Sequence, residues 1–449
     1  MRSTSACLLG TLYLVACQTS ERNLPIAETV YSGGQIWTGE GFEISDIAVA
    51  NGRILESYRT SELTVGTDIS GKFLTPALAN GHQHITNANL QNTWQFFDVG
   101  VYYVWNPNLY SDGLSAESRA FYGRTDTVDL ETSLGGITEP KSHPEPLYVD
   151  SLGPYVYNGA TFDDLYQKAF HYGRTPEEIV ETLDRLSSQG TEFVKIYLLN
   201  SEDYSPPDAN GDPTGTTGLN PENIAFLVEE AHARGLPVIA HVESRYDVEV
   251  CARAGVDFLG HLPGYYGVPM RGVESVRLTD DDARLLAENN VGVIPTYGLG
   301  PANFQRKREA DPAPSSEALE TLAADEKEGY ELQAENIKRL KSFGVQIMVG
   351  TDLFPGRVLD EPSHWINIGA MSPIEALSAM FATGPALFDD RRIGCLDAGC
   401  EADFLVLDDN PIDDLAAFTR IALWVKGGQE LVRPEPPEPE AEIEEPTEE

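Results

Sequence analysis

Two histidines one residue apart, His82 and His84, close the apolar run Phe73-Leu74-Thr75-Pro76-Ala77-Leu78-Ala79-Asn80-Gly81. On a β-strand, residues i and i+2 share a face, so both imidazoles present to one point, as ligands of a divalent metal do. Further donors end later apolar runs. His241 follows Pro237-Val238-Ile239-Ala240, His261 follows Val256-Asp257-Phe258-Leu259-Gly260, and Asp352 follows Gln346-Ile347-Met348-Val349-Gly350-Thr351. Lys195 lies among Phe193, Val194, Ile196 and Tyr197, where a protonated ammonium is costly, so its amine is expected to be neutral. A neutral amine reacts with carbon dioxide to give a carbamate, an anionic ligand able to bridge two metals. Nitrogen and oxygen donors of this kind suit zinc, with manganese, iron, cobalt and nickel as alternatives. Each residue also has an ordinary reading: a hydrogen-bonded core histidine at 241, a loop residue at 261, a helix cap at 352, a snorkelling or carboxylate-paired lysine at 195. Four of the chain's eight histidines nevertheless fall at these run ends.

These residues need a scaffold that brings run ends together. Residues 24 to about 75 read as short strands with turns, including 45–50 followed by the turn Asn51-Gly52. From 76 to about 385 strands alternate with helices. The strands are the histidine run, 101–105, a poorly defined one within 125–137, then 193–197, 237–241, 256–261, 292–296 and 346–352. Helices are expected over 176–188, 221–234, 280–288 and 315–343, with Thr175, Asn220 and Thr279 as caps before Pro or acidic residues. Eight strands in alternation with helices outline an α/β fold, a (β/α)8 TIM barrel, whose active sites lie at the C-terminal strand ends. His82, His84, Lys195, His241, His261 and Asp352 would then share one mouth. His143, Tyr197, Tyr265, Tyr266 and Tyr297 lie just past strand ends and are expected to line the substrate pocket. The long loop 199–220 is placed at the same mouth. Residues 386–432 are strand-like again and are expected to complete a small discontinuous β-sandwich with 24–75. Residues 433–449, a Pro/Glu tract, read as disordered.

Composition narrows the partners. The chain has 449 residues, 41% of them hydrophobic, enough for a sizeable core. A net charge of −40 argues against nucleic acid and leaves a small molecule as the expected partner; the oligomeric state is not readable. The first 17 residues look like an export signal, and Leu14-Val15-Ala16-Cys17 resembles the bacterial lipobox. The expectation is an exported protein, lipid-anchored at Cys17 in the periplasm or outer membrane, touching membrane through that lipid only. In such a compartment Cys395 and Cys400 can form a short bridge, leaving Cys251 as an unpaired core residue.

Taken together, Leu74-Thr75-Pro76 leading to His82-Gln83-His84, Gly190-Thr191-Glu192-Phe193-Val194-Lys195, Ile239-Ala240-His241, Gly260-His261, Gly350-Thr351-Asp352 and the tail Ala402-Asp403-Phe404-Leu405-Val406-Leu407 resemble the amidohydrolase superfamily, and within it the imidazolonepropionase-like and prolidase-like members. The resemblance implies two divalent metals: one held by His82, His84, carbamylated Lys195 and Asp352, the other by Lys195, His241 and His261. It implies hydrolysis of an amide C–N bond, of the dipeptide or N-acyl amino acid type, by a metal-bridging hydroxide with Asp352 as general base and acid. A lactone, carbamate or ring C–N bond is the alternative, and a non-catalytic surface binding lipoprotein the other class. The chain departs from its relatives at Gly100-Val101-Tyr102-Tyr103-Val104-Trp105 and at Thr138-Glu139-Pro140-Lys141-Ser142-His143-Pro144, which puts the substrate in question rather than the metals.

Overall fold

The computed structural model describes residues 24–85, 90–206, 208, 218–352 and 357–433; Cys17 and most of the acidic tail lie outside them. The fold is TIM-barrel-like α/β with a second, all-β domain. Its core strands are short and nearly continuous in apolar residues, as buried parallel strands must be. Leu78–Asn80, Val101–Asn106 and Asp129–Thr132 form one parallel ladder. A second runs through Phe170–Tyr172, Gly136–Thr138, Val194–Tyr197, Val238–His241, Phe258–Leu259 and Gly292–Val293.

The expected eight-strand ladder is therefore divided. The third strand splits where Gly135 takes a positive φ of 83°, and Phe170–Tyr172 adds beside its second half. The expected strand 346–352 keeps only a single bridge, Val293 to Ile347. Backbone hydrogen bonds still tie it to both neighbours: Met348 N–H to Val293 O at 2.8 Å on one side, and Gly81 N–H to Val349 O at 2.9 Å on the other. Helices pack outside. Pro176–Ser188 and Asp280–Glu288 begin where Thr175 and Thr279 accept from the Glu178 and Asp282 amides, and Asn220 accepts from Glu222 N–H. The helix read over 221–234 divides into a 3-10 turn, Pro221–Asn223, and Ile224–His232.

The histidine run also divides, at Ala77. Phe73–Pro76 joins the second domain, pairing antiparallel with Phe404–Leu407, while Leu78–Asn80 opens the barrel-like core. The expected sandwich is instead one connected eight-stranded sheet made from both chain ends. It curls around Tyr31, Ile36, Ile47, Val49, Phe404 and Val425, so far that Thr67 donates to Glu430 on the edge strand Gln429–Leu431. Cys395 and Cys400 are bridged, and Cys251 is free and buried. The two domains meet at a buried ionic cluster: Lys426 Nζ donates to Asp129 and to the Arg124 and Thr127 carbonyls, while Arg391 pairs with Asp129 and Glu401.

Candidate active site

His82 follows the first core strand and is held by its neighbours. Asn80 accepts from the His82 amide at 3.2 Å and donates to Gln83 and Thr351. Gly350 lets the eighth strand press against it, since a Cβ there would lie 2.8 Å from the His82 Cβ and 2.3 Å from Ile294. The Thr351 and Asp352 amides both donate to the His82 carbonyl, at 3.0 and 2.7 Å. Asp352 then turns into the left-handed region, φ 51°, a conformation aspartate tolerates better than most residues. Its Oδ1 lies 3.0 Å from His82 Nε2 and 2.9 Å from His84 Nε2, and its Oδ2 lies 3.8 Å from His261 Nε2. One ligand atom from each of His82, His84 and Asp352 falls within 4.8 Å of the others.

The hydrogen bonds fix which nitrogen each imidazole leaves open. A carbonyl only accepts, so the 2.8 Å contact of His82 Nδ1 with Gly260 O puts the proton on Nδ1 and leaves Nε2 as a lone pair. Thr296 spends its hydroxyl proton on Pro295 O, so at 2.7 Å it accepts from His261 Nδ1–H, which again frees Nε2. His241 donates Nε2–H to Glu243 Oε1 at 2.9 Å, which leaves Nδ1. Such outer partners orient metal-binding histidines. Burial holds His82 down at about 4 and His261 well below the usual imidazole range, so both are neutral, the ligating form. Burial raises the Asp352 carboxyl, and only positive charge at His82, His84 and His261 holds it well below the usual range; with His82 and His261 neutral, a bound cation would have to supply that charge.

Lys195 projects from Val194–Tyr197, in register with Ile239, and Tyr197 pairs with His241 two residues on, so Lys195 and Tyr197 share the inward face. Its side chain is 1% exposed and Nζ has no hydrogen-bond partner among the described residues. Burial lowers its pKa from 10.5 to about 7. A Cβ at position 260 would come within 2.8 Å of Nζ, so glycine there keeps room at the amine. An unpartnered buried amine beside neutral imidazoles and one carboxylate is a donor set that fits divalent metal with a carbamate on the lysine.

A cavity of about 540 Å³ opens over these groups and is lined by His82, His84, Lys195, His241, His261 and Asp352. All six thus share one space. His143, Tyr197, Tyr265 and Tyr266 line it too. Tyr297 does not: it is fully buried, its hydroxyl donating to Pro263 O and accepting from Asn336, so it packs behind the site. Glu243 and Asn108 were not anticipated. Glu243 accepts from His241 and from Tyr265 at 2.7 Å, and Asn108 donates to the Tyr197 hydroxyl at 3.0 Å. The alternation His241-Val242-Glu243 at a strand end is the signal for the first. Also unforeseen is a wall of Pro144, Leu147, Tyr148, Leu152 and Tyr157, from a segment that runs through the short helices Glu145–Leu147, Tyr148–Leu152 and Gly153–Tyr155.

Residues 207–431, half of the chain, match the model of the amidohydrolase family. The chain is 27% identical to ochratoxinase of Aspergillus niger over 324 residues, 70% of this chain but 57% of that protein. The crystal structure of A. niger ochratoxinase overlays 90% of this chain and 95% of its own with a TM-score of 0.67 at 18% identity. A Xaa-Pro dipeptidase with bound methionine in its active site overlays 90% of this chain and 99% of its own, TM-score 0.67, at 16% identity. With half its length matched by the family model and its overall fold shared by such structures, the chain belongs to the amidohydrolase family.

Proposed function

We propose that the protein is a metal-dependent hydrolase that cleaves an amide C–N bond in the cavity over His82 and His84. The observation that carries this reading is the convergence of the four imidazoles of His82, His84, His241 and His261, Asp352 and a buried Lys195 amine with no partner among the described residues on one space. The two ladders and the hydrogen bonds of residues 346–352 to both neighbours support a closed (β/α)8 barrel, with these groups at its C-terminal strand ends.

Two divalent metals, zinc by donor type, would be held by His82, His84, Lys195 carbamate and Asp352 on one side and by Lys195, His241 and His261 on the other. Bound there, they would supply Lewis acidity and lower the pKa of water toward neutrality. The chain's own groups do the rest. Asp352 Oδ1 and Oδ2, ionised and open to the cavity, take the proton of the attacking water and pass it to the leaving nitrogen. Burial keeps His82 and His261 neutral, and Gly260 O and Thr296 Oγ1, accepting from their Nδ1–H groups, leave each Nε2 free. The stacked rings of His261 and Tyr265, 4.6 Å apart, and the Glu243–Tyr265 hydrogen bond hold the site's far wall. The apolar walls exclude bulk water, which strengthens every charge interaction inside. The lipobox-like Leu14-Val15-Ala16-Cys17 supports an exported, lipid-anchored protein, which mass spectrometry of the mature N-terminus tests.

The test of the activity is Asp352→Asn, assayed with dipeptides, N-acyl amino acids and neutral amides. Turnover should fall by at least about 1,000-fold while circular dichroism is unchanged, the loss of a proton carrier that is also a ligand. A folded Asp352→Asn variant that kept its activity would end the proposal.

A further inference from the structure

Apart from the proposed metal ligands, Asn108, Glu243 and His143, the cavity is built of rings and aliphatic carbon. Tyr148 and Tyr157 lie nearly parallel, centroids 6.1 Å apart at 8°. Tyr265 and Tyr266 pack at 4.5 Å on another wall. Leu147, Leu152 and Leu199 line it as well. Among the described residues the lining holds one lysine or arginine, Lys195, already committed at the floor. The internal segments outside the described residues, 86–89, 207, 209–217 and 353–356, contain neither Lys nor Arg. Arg271, which does not line the cavity, pairs with Asp203 at 2.5 Å and with Glu202 at 3.7 Å. Arg306 acts on Tyr266 only through space and does not line the cavity.

Two of the hydroxyls are already committed. Tyr265 donates its proton to Glu243, and Tyr148 donates to Asn108 O at 3.2 Å. A carboxylate on the distal part of a substrate would therefore be desolvated against rings and leucines with no lysine or arginine to pair with, which is costly. The long-range field acts in the same sense, because a net charge of −40 repels anions on approach.

We propose that this cavity takes an uncharged, aromatic acyl–nitrogen substrate and rejects one that carries a free carboxylate away from the bond cleaved. The inference rests on the amide-hydrolase reading and says which acyl groups that site takes.

Matched probes separate the two. Benzoyl 4-nitroanilide is compared with its twin bearing a carboxylate on the benzoyl ring, on the metal-loaded enzyme, at low and high salt. The neutral compound should be favoured at least about 100-fold in kcat/KM, the twin losing the pairing a carboxylate needs. Part of the gap should close at high salt as the field is screened. Leu147→Arg, which puts a cation at the rim, should raise the twin at least about tenfold and leave the neutral compound no better. Binding of the same pair to the metal-free protein, by calorimetry, gives a readout that needs no turnover: the neutral compound should bind and the twin should not. If the twin is cleaved as fast or binds as tightly, the proposal fails while the hydrolase reading stands. If neither is cleaved but only the neutral one binds, the cavity assignment survives and the hydrolase reading fails. If the neutral compound neither binds nor reacts, the proposal is overturned.

Discussion

Removing the Lys195 amine should change how the metal-free protein responds to pH. Nζ is buried at the cavity floor beside Gly260 and 5.3 Å from the centre of the Tyr197 ring, with no hydrogen-bond partner among the described residues, and burial pulls its pKa from 10.5 to about 7. Between pH 7 and 10.5 the unfolded chain carries a proton on this group that the folded chain has shed. Stability therefore rises with pH across that window, and the contribution is lost as pH falls through about 7. A difference of 10.5 against about 7, at 1.36 kcal/mol for each pH step, gives roughly 5 kcal/mol as the full swing. In Lys195→Met the swing should vanish, and the metal-free variant at pH 7 should be more stable than the metal-free parent by a few kcal/mol. Urea unfolding of chelator-treated protein at several values from pH 6.5 to 10, in buffers stripped of carbon dioxide so that no carbamate forms, reads the difference between parent and variant. Taking that difference cancels the titration of other groups. A parallel pH dependence in the two proteins would refute the claim that Lys195 is a forced, neutralising amine. The same variant should fail to retain metal.

Three further outcomes follow from named contacts. Glu243→Gln removes the carboxylate that fixes the His241 tautomer through the 2.9 Å bond, so zinc affinity in a competition titration should weaken by about 10- to 100-fold with the fold intact. Gly260→Ala places a methyl where the Lys195 Nζ sits, 2.8 Å away; displacing that amine should cost about 100-fold in turnover, with the loss appearing in kcat. Lys426→Met strips Asp129 and two buried carbonyls of their donor and should destabilise the chain by about 3–5 kcal/mol in denaturant titration, without altering KM.

Much of this was legible in the sequence because the signals were local. Helix starts at Thr175 and Thr279 followed from a cap, a Pro or acid, and an apolar period. The six proposed metal ligands stood out because polar groups ending apolar runs are costly unless they share a task. Their convergence on one cavity needed only that strand ends be gathered. What was not legible depended on contacts between distant segments. The break at Ala77 arises because residues 404–407 take Phe73–Pro76 into the second sheet. Tyr297 was misplaced because position after a strand end does not show which way a ring turns, and here Asn336 and Pro263 hold it behind the site. The aromatic wall of Tyr148 and Tyr157 lies in a stretch with no clear period, whose rings pack on one another and on Phe170. The connection of both chain ends into one sheet, with contacts such as Thr67 with Glu430, 363 residues apart, likewise joins distant segments.

The central claim is that His82, His84, Lys195, His241, His261 and Asp352 form one metal centre that drives hydrolysis. Elemental analysis of protein purified without chelator, paired with turnover of a neutral amide before and after metal removal, tests it most directly. The account predicts about two divalent ions per chain, activity lost on chelation and restored by zinc, and no retained metal in Lys195→Met. Full activity in protein shown to be metal-free would contradict it.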